Sequence, residues 1–596
     1  MRSTLIAILF FITGSLTYAQ TKLNTKTIDT KLKALQEATQ TVGFSVAVVQ
    51  GDQVIYSKGF GYRDLENKIE ADENTLYAIG SSSKAFTVAL LGIMEEEKGL
   101  KFTDSPKKYL PELEFYNEKL NNQVTILDMI SHRTGLPRHD LSWYLFPTAD
   151  KDSLLARVKY QEPFTGIRKQ WYYNNFMYLA QGLITEKLTG KSWEDNIRER
   201  FFKPLNMTSS NVSISEMVAQ PNISKGYSLE DFTTNKAMPY YDIAAISPAG
   251  SINSSVKEMS NWLKIWLNKG KLGDTQVLPE AYVAKAVNPL MLVGGGIADK
   301  KFPDQHLNSY GYAWFNSSYK GHYRLEHGGN IDGFSANVAF FPTDSLGIVV
   351  LTNQNGSALP GLVRDALADE ILGLEKTDWV SYYSEKINKI KEQQEKAKAE
   401  KKSSTVPNTA PSHTLVEYTG KYNHPGYGTF TIEYKNDSLW AQFVRERVYL
   451  NHLHYDIFEA LTVKDNKVDT TSGGGLNFNF RTSDLGDIEA ASLKLEPTLD
   501  PLTFKRTPAE ANVSTETLES YVGTYALGGT DLKVFMKEDK LTLFVPGQPE
   551  YTLTPTGENE FMVKGLTGYK VRFEKKDNTS QMLLIQPNGT FPATKK

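Results

Sequence analysis

The chain has 596 residues, 40% of them hydrophobic and 23% charged. That is too long for one ordinary core, which stops growing at roughly 250–300 residues, and too apolar to stay disordered. Its 66 basic and 69 acidic residues leave a formal charge of −3, which gives no whole-chain footprint for nucleic acid or an anionic membrane, and the absence of cysteine excludes disulfides, thiolate nucleophiles and Cys-ligated metal.

The first element is a leader. Residues 1–20 read MRSTLIAILFFITGSLTYAQ, in which Arg2 is a basic head, residues 5–12 are an apolar run too short to span a bilayer, and Thr17-Tyr18-Ala19 is a small-x-small cleavage site. Residues 1–19 are therefore expected to be a signal peptide, with export to a bacterial periplasm or beyond. A chain without cysteine fits that route when its cores are large enough to do without disulfides. No later apolar run predicts a membrane span.

From about residue 21 to 379, strand and helix patterns alternate. Runs 44–56 and 337–352 are rich in β-formers, while 185–200 and 256–268 are amphipathic. The length of this unit predicts one α/β (α+β) domain over 20–380, an antiparallel sheet flanked by helices with a helical subdomain. Three motifs inside it carry chemistry.

The first is Ser81-Ser82-Ser83-Lys84, followed by Ala85-Phe86-Thr87-Val88-Ala89-Leu90-Leu91. Gly80 permits a tight turn, Ser81 falls at a helix start, and Lys84 stands one turn later on the same face. Alone, S-x-x-K usually marks a serine cap and an exposed lysine. Here the following helix is apolar nearly all round, so Lys84 should be desolvated and neutral, able to take the proton of Ser81 and make it a nucleophile.

The second is Tyr173-Asn174-Asn175 ahead of a helix at 177–188. A phenol and an amide two residues apart can meet at one point, the phenol relaying protons if a nearby cation lowers its pKa, the amide holding a substrate carbonyl or Lys84. Spacing alone leaves the frame Tyr172-Tyr173-Asn174 equally open. The third is Glu326-His327-Gly328-Gly329-Asn330, where the glycines let a strand edge approach a ligand closely. Its backbone N–H groups would then bind an oxyanion together with that of Ser81, and His327 would add a donor or a titrating proton.

Beyond the domain, residues 385–402 read EKINKIKEQQEKAKAEKK, a solvated helix, and 403–414 form a proline-punctuated linker, so 381–412 is expected to be a charged spacer. The chain then repeats itself. Leu415-Val-Glu-Tyr418-Thr-Gly420-Lys-Tyr422 returns as Leu518-Glu-Ser-Tyr521-Val-Gly523-Thr-Tyr525, which predicts two small β modules at 413–507 and 514–596, each closing its own edges. The nine histidines include no H-E-x-x-H, and His452-Leu-His454 has no acidic ligand at useful spacing. No phosphate loop or dinucleotide fingerprint is present, so no metal and no cofactor is expected.

These motifs, together with Tyr56-Ser-Lys-Gly-Phe-Gly61, Met129-Ile-Ser-His132-Arg-Thr-Gly135-Leu-Pro137, Pro248-Ala-Gly250, Tyr310-Gly-Tyr-Ala-Trp314 and Val349-Val-Leu-Thr-Asn353, resemble the serine β-lactamase and penicillin-binding-protein fold family over about 40–370. Within it the chain is most similar to the class C-like serine hydrolases, peptidase family S12. The resemblance implies Ser81 as acylated nucleophile and Lys84 as its base. It selects Tyr173 and Asn175 as the Y-x-N pair, and it implies Gly329 in the third motif and the N–H of Asn330 as second oxyanion donor. Where the family signature reads K-T-G, this chain reads His327-Gly328-Gly329. The tandem modules resemble lipocalin-like barrels appended to such hydrolases. The expectation is an exported peptidase, D-amino-acid amidase or esterase acting on a small-molecule or peptide substrate, without nucleic-acid partners and with the barrels as a route to homo-oligomers. The rivals are a true β-lactamase or D-Ala-D-Ala carboxypeptidase, and a non-catalytic peptide- or glycan-binding protein.

Overall fold

The computed structural model describes residues 23–400, 405–464, 467–470, 475–566, 568–577 and 579–596. The expected leader, 1–19, lies outside the described residues, as do positions 403 and 404 of the expected linker.

Nine strands form one antiparallel sheet: β1 (Gly43–Gln50), β2 (Gln53–Asp64), β3 (Ile69–Glu70), β4 (Met291–Gly295), β5 (Leu307–Tyr310), β6 (Phe315–Tyr319), β7 (His322–Ile331), β8 (Phe334–Phe341) and β9 (Leu346–Thr352). Their spatial order is β4-β5-β6-β7-β8-β9-β1-β2-β3, so the chain leaves the sheet after β3, builds a helical region, and returns at the far edge. The apolar runs at 44–56 and 337–352 each resolve into two strands joined by a tight turn. Of these strands, β1, β8 and β9 are buried along nearly their whole length, being covered on both faces.

One face packs Phe44, Val46 and Val48 against α1 (Thr25–Ala38), α5 (Leu359–Ile371) and the start of α6 (Trp379–Glu400). The other packs Ala47, Val49, Val349 and Leu351 against α2 (Lys84–Lys98), α3 (Phe176–Thr189) and α4 (Val256–Leu267). Ser255 caps α4 by accepting the N–H of Glu258, and the Phe86 ring of α2 stacks on Trp262 of α4. Burial of one such aromatic side chain contributes about 1.5–3 kcal/mol. The single amphipathic helix expected over 185–200 is instead broken: α3 stops at Gly190, whose φ of +71° ends it, and Ser192 caps a new short helix, Trp193–Ile197.

The repeats at the C-terminal end form two closed eight-stranded barrels, running from Gly420–His424 to Leu502–Pro508 and from Gly523–Leu527 to Gly589–Lys595. Each closes by pairing its first strand with its last, Gly420 opposite Pro508 and Tyr525 opposite Lys595. The repeated glycine has a physical cause. A Cβ on Gly420 would stand 2.5 Å from the carbonyl oxygen of Thr507, one on Gly523 2.6 Å from the Lys595 side chain, and both have positive φ. The repeated tyrosine pair is equally concrete: Tyr422 donates its hydroxyl proton to the carbonyl of Tyr418 at 2.7 Å, and Tyr525 does the same to Tyr521 at 2.8 Å. Among the described residues no helix is long and apolar enough to cross a membrane.

Candidate active site

The first motif folds as a short 3-10 turn, Gly80–Ser83, running directly into α2. With three residues per turn, positions i and i+3 eclipse, which places Lys84 above Ser81 more closely than an α-helix would. Lys84 Nζ lies 3.0 Å from Ser81 Oγ, 2.7 Å from Asn175 Oδ1 and 2.7 Å from the carbonyl of Ala249. It is wholly buried, and desolvation holds its pKa well below the ordinary lysine value; the Asp140 carboxylate opposes that fall and the Arg138 cation adds to it. The geometry then fixes the orientation of the amine. A neutral amine has two N–H bonds and one lone pair; Asn175 Oδ1 and the Ala249 carbonyl can only accept, so the lone pair is left facing Ser81.

Of the two frames for the second motif, the structure brings Tyr173 and Asn175 to Lys84, with Nζ 4.8 Å from the Tyr173 ring centre. Asn174 instead donates to the carbonyl of Pro137 and accepts from the N–H of Met177, serving the start of α3. The expected lowering of the phenol pKa is reversed. Burial drives Tyr173 well above its ordinary value, with the nearby Ser81 hydroxyl and the Arg138 cation only partly opposing it. Its hydroxyl is buried without a hydrogen-bond partner of good geometry, so Tyr173 is a neutral phenol free to exchange a proton with an arriving group.

The third motif lies on β7, an interior strand rather than an edge. Gly329 is required there: a Cβ would stand 1.9 Å from the Ile79 carbonyl oxygen, so only glycine lets β7 press against the turn that carries Ser81. The same approach sets the N–H of Asn330 beside Gly80, where a Cβ would be 2.9 Å from that nitrogen. The Asn330 side chain turns away, its Oδ1 accepting from Ser335 Oγ and Gly356 N. His327 corrects a second expectation. Its Nδ1 lies 2.6 Å from the Gly328 carbonyl, which assigns the proton to that nitrogen, and Nε2 accepts from Tyr310 at 3.0 Å. Burial, helped by the Lys84 charge, lowers its pKa to about 3. His327 is therefore neutral near pH 7, with neither ring nitrogen left to donate to a ligand.

Sequence reasoning assigned no individual role to a ring of residues around this centre. His132, in the left-handed region at φ +55°, lies tilted against Tyr173 with ring centres 4.3 Å apart; its Nδ1 accepts from Asn174 N, leaving a buried Nε2–H with no partner among the described residues. Asp140 accepts from Asn175 Nδ2 at 2.8 Å and from Arg138 Nε at 2.6 Å, and Arg138 lies 4.9 Å over the Tyr173 ring. The signal was the polar triplet Arg138-His139-Asp140 immediately after Leu136-Pro137.

The beta-lactamase family profile matches residues 28–372 of this chain, and one described as a domain of unknown function, DUF3471, matches 404–506. Among curated proteins the chain is similar to unguisins hydrolase ungD' of Aspergillus campestris, 29% identical over 65% of this chain and 74% of that one. It is also similar to protein flp of Staphylococcus aureus, 25% identical over 56% of this chain and 64% of that one. Among solved structures, the octameric penicillin-binding protein homologue from Pyrococcus abyssi superposes with a TM-score of 0.53 at 18% identity, over 81% of this chain and the whole of the other. At that identity the likeness establishes the fold.

Proposed function

The chain belongs to the beta-lactamase family, and from that premise we propose that it is a serine hydrolase that cleaves an amide or ester through an acyl-enzyme on Ser81. The observation that carries the reading is the buried Lys84 amine, whose nitrogen lies 3.0 Å from Ser81 Oγ while its two other partners, Asn175 Oδ1 and the Ala249 carbonyl, can only accept. Lys84 takes the hydroxyl proton as Oγ attacks the substrate carbonyl carbon. The oxygen that gains negative charge is held by the N–H groups of Ser81 and Asn330. The proton then passes from Lys84 through the neutral Tyr173 hydroxyl to the leaving nitrogen or oxygen, the C–N or C–O bond breaks, and the acyl group stays on Ser81. Water, deprotonated by the same pair, releases it as a carboxylic acid and restores the Ser81 hydroxyl.

The neutral His327 favours a peptidase, amidase or esterase over a β-lactamase or D-Ala-D-Ala carboxypeptidase, since it puts no cation at the third motif to anchor a carboxylate. A relative named as a hydrolase supports the same reaction class. Export belongs to the proposal too, with residues 1–19 removed; the mature N-terminus found by sequencing the secreted product should be Gln20.

The test is Ser81→Ala assayed on a p-nitrophenyl acyl ester beside an activated fluorophosphonate probe. Turnover should fall by at least about a thousandfold and labelling should vanish. Parent-like turnover by the variant overturns the nucleophile assignment.

A further inference from the structure

The loop 135–146 joins the site to the first barrel. On its inner side Asp140 and Arg138 reach the Lys84 centre: Asp140 Oδ1 holds Asn175 Nδ2, whose Oδ1 accepts from Lys84, and Arg138 pairs with Asp140 while covering Tyr173. On its outer side the loop is gripped by the barrel. The backbone N–H of His139 donates to Glu496 Oε2 at 2.9 Å, the His139 ring meets the Tyr427 hydroxyl at 2.8 Å, and Ser142 Oγ donates to the Gly426 carbonyl at 2.8 Å. His139, Ser142, Tyr427 and Glu496 are all buried. Leu145 and Phe146 complete the apolar core of the barrel itself.

His139 sits in the left-handed region at φ +50°, a conformation that costs a residue with a Cβ and persists only where its surroundings enforce it. Two of the contacts that hold it come from the barrel, the Glu496 carboxylate and the Tyr427 hydroxyl. Because residues 138 and 140 flank His139, the backbone there sets where Arg138 and Asp140 point.

We infer that the first barrel is a working part of the active site: Glu496 and Tyr427 act as positioning residues that, through His139, hold Arg138 and Asp140 against Asn175 and Lys84. The inference rests on the Ser81–Lys84 reading above. It assigns the barrel the role of aligning the base rather than taking up a ligand of its own.

The charged and titratable groups facing Lys84 are Asp140 and Arg138 on the loop, His132 after the short helix Ile126–Ile130, Tyr173 and Tyr178 at the start of α3, and His327 on β7. Of these, only the loop pair carries opposite charges, and that supplies a sign test. Acylation needs the neutral amine, so its rate rises with pH through the Lys84 pKa. The Asp140 carboxylate raises that pKa, hence Asp140→Asn should move the acid limb to lower pH; Arg138 lowers it, hence Arg138→Met should move the limb to higher pH.

The experiment is single-turnover acylation of the full chain by a p-nitrophenyl ester across pH, for Asp140→Asn, Arg138→Met, the double variant Glu496→Ala with Tyr427→Phe, and Glu496→Gln. The double variant should lose roughly tenfold or more in rate and shift its limb in the Asp140→Asn direction, because both loop charges are released and that of Asp140 acts on Lys84 more strongly than that of Arg138. Glu496→Gln keeps an oxygen that can accept the His139 N–H and should stay within about twofold of the parent. Parent-like rate and limb in the double variant overturn the inference. So do limbs of Asp140→Asn and Arg138→Met that move together or not at all; these two leave the barrel contacts intact and remain readable if the double variant does not fold. Ser81→Ala run in parallel separates the two readings: if it is dead while the double variant matches the parent, only the inference about the barrel fails.

Discussion

The two barrels share a strand count, a closing glycine and a tyrosine-to-carbonyl bond, but their first hairpins differ. In the first, His424 pairs with Gly428, leaving Pro425-Gly426-Tyr427 as a loop that supplies a carbonyl to Ser142 and a hydroxyl to His139. In the second, Leu527 pairs with Thr530 and the turn is Gly528-Gly529, with no side chain to offer. The interiors follow suit. The first barrel's core takes in Leu145 and Phe146 from the hydrolase domain, and the cluster inside the second is made of its own residues. The repeated residues thus account for barrel closure, and the residues that do not repeat account for what each barrel touches.

The largest effect that sharpens this contrast comes from exchanging the hairpins. Replacing 425–427 by Gly-Gly should lower the acylation rate by about ten- to a hundredfold, since small misplacements at a catalytic centre have costs of that order. Placing Pro-Gly-Tyr between Leu527 and Thr530 should leave the rate unchanged. Equal rates in the two exchanges break the comparison.

Next comes the packing. Phe146 is buried against Phe443, Phe504 and Tyr427, and Phe573 against Tyr521 and Phe561. Truncating either to alanine should destabilise its barrel by about 3–5 kcal/mol in denaturant unfolding. Only Phe146→Ala should also slow acylation, because only that ring belongs to the loop carrying Asp140.

A smaller effect separates the barrels by pH. His139 at the first interface is held neutral by burial, its pKa lowered from 6.5 to about 4. A histidine whose folded pKa is depressed binds its proton more readily when released, so stability of the interface falls as pH drops from about 6.5 towards 4. Thermal unfolding followed over that range should show a slope that His139→Gln flattens, whereas Gly528→Ala in the second barrel should leave it untouched.

How much of this was legible beforehand depends on sequence distance. Ser81 and Lys84 are three residues apart and the apolar run after them announces burial, so their partnership could be read directly. The barrels announced themselves because Tyr418, Gly420 and Tyr422 recur in register as Tyr521, Gly523 and Tyr525. Asp140 could not be placed, because it meets Asn175 across 35 residues; nor could the clasp, in which His139 meets Tyr427 across 288 and Glu496 across 357. The sign of the Tyr173 shift was misread for a related reason. Proximity to a cation follows from a motif, but complete desolvation depends on the packing around His132, Tyr178 and Tyr310, and it dominates.

The smallest difference expected between the barrels is none, and it tests the claim that repeated residues serve closure alone. Tyr422 and Tyr525 each make one buried or half-buried bond to the carbonyl four residues back. Tyr422→Phe and Tyr525→Phe should each cost about 0.5–1.5 kcal/mol of barrel stability and leave acylation at the parent rate. A slowed Tyr422→Phe at unchanged Tyr525→Phe would mean that the shared framework of the first barrel, and not its hairpin alone, is strained towards the site; equal and silent variants confine the coupling to residues 425–427 and Glu496.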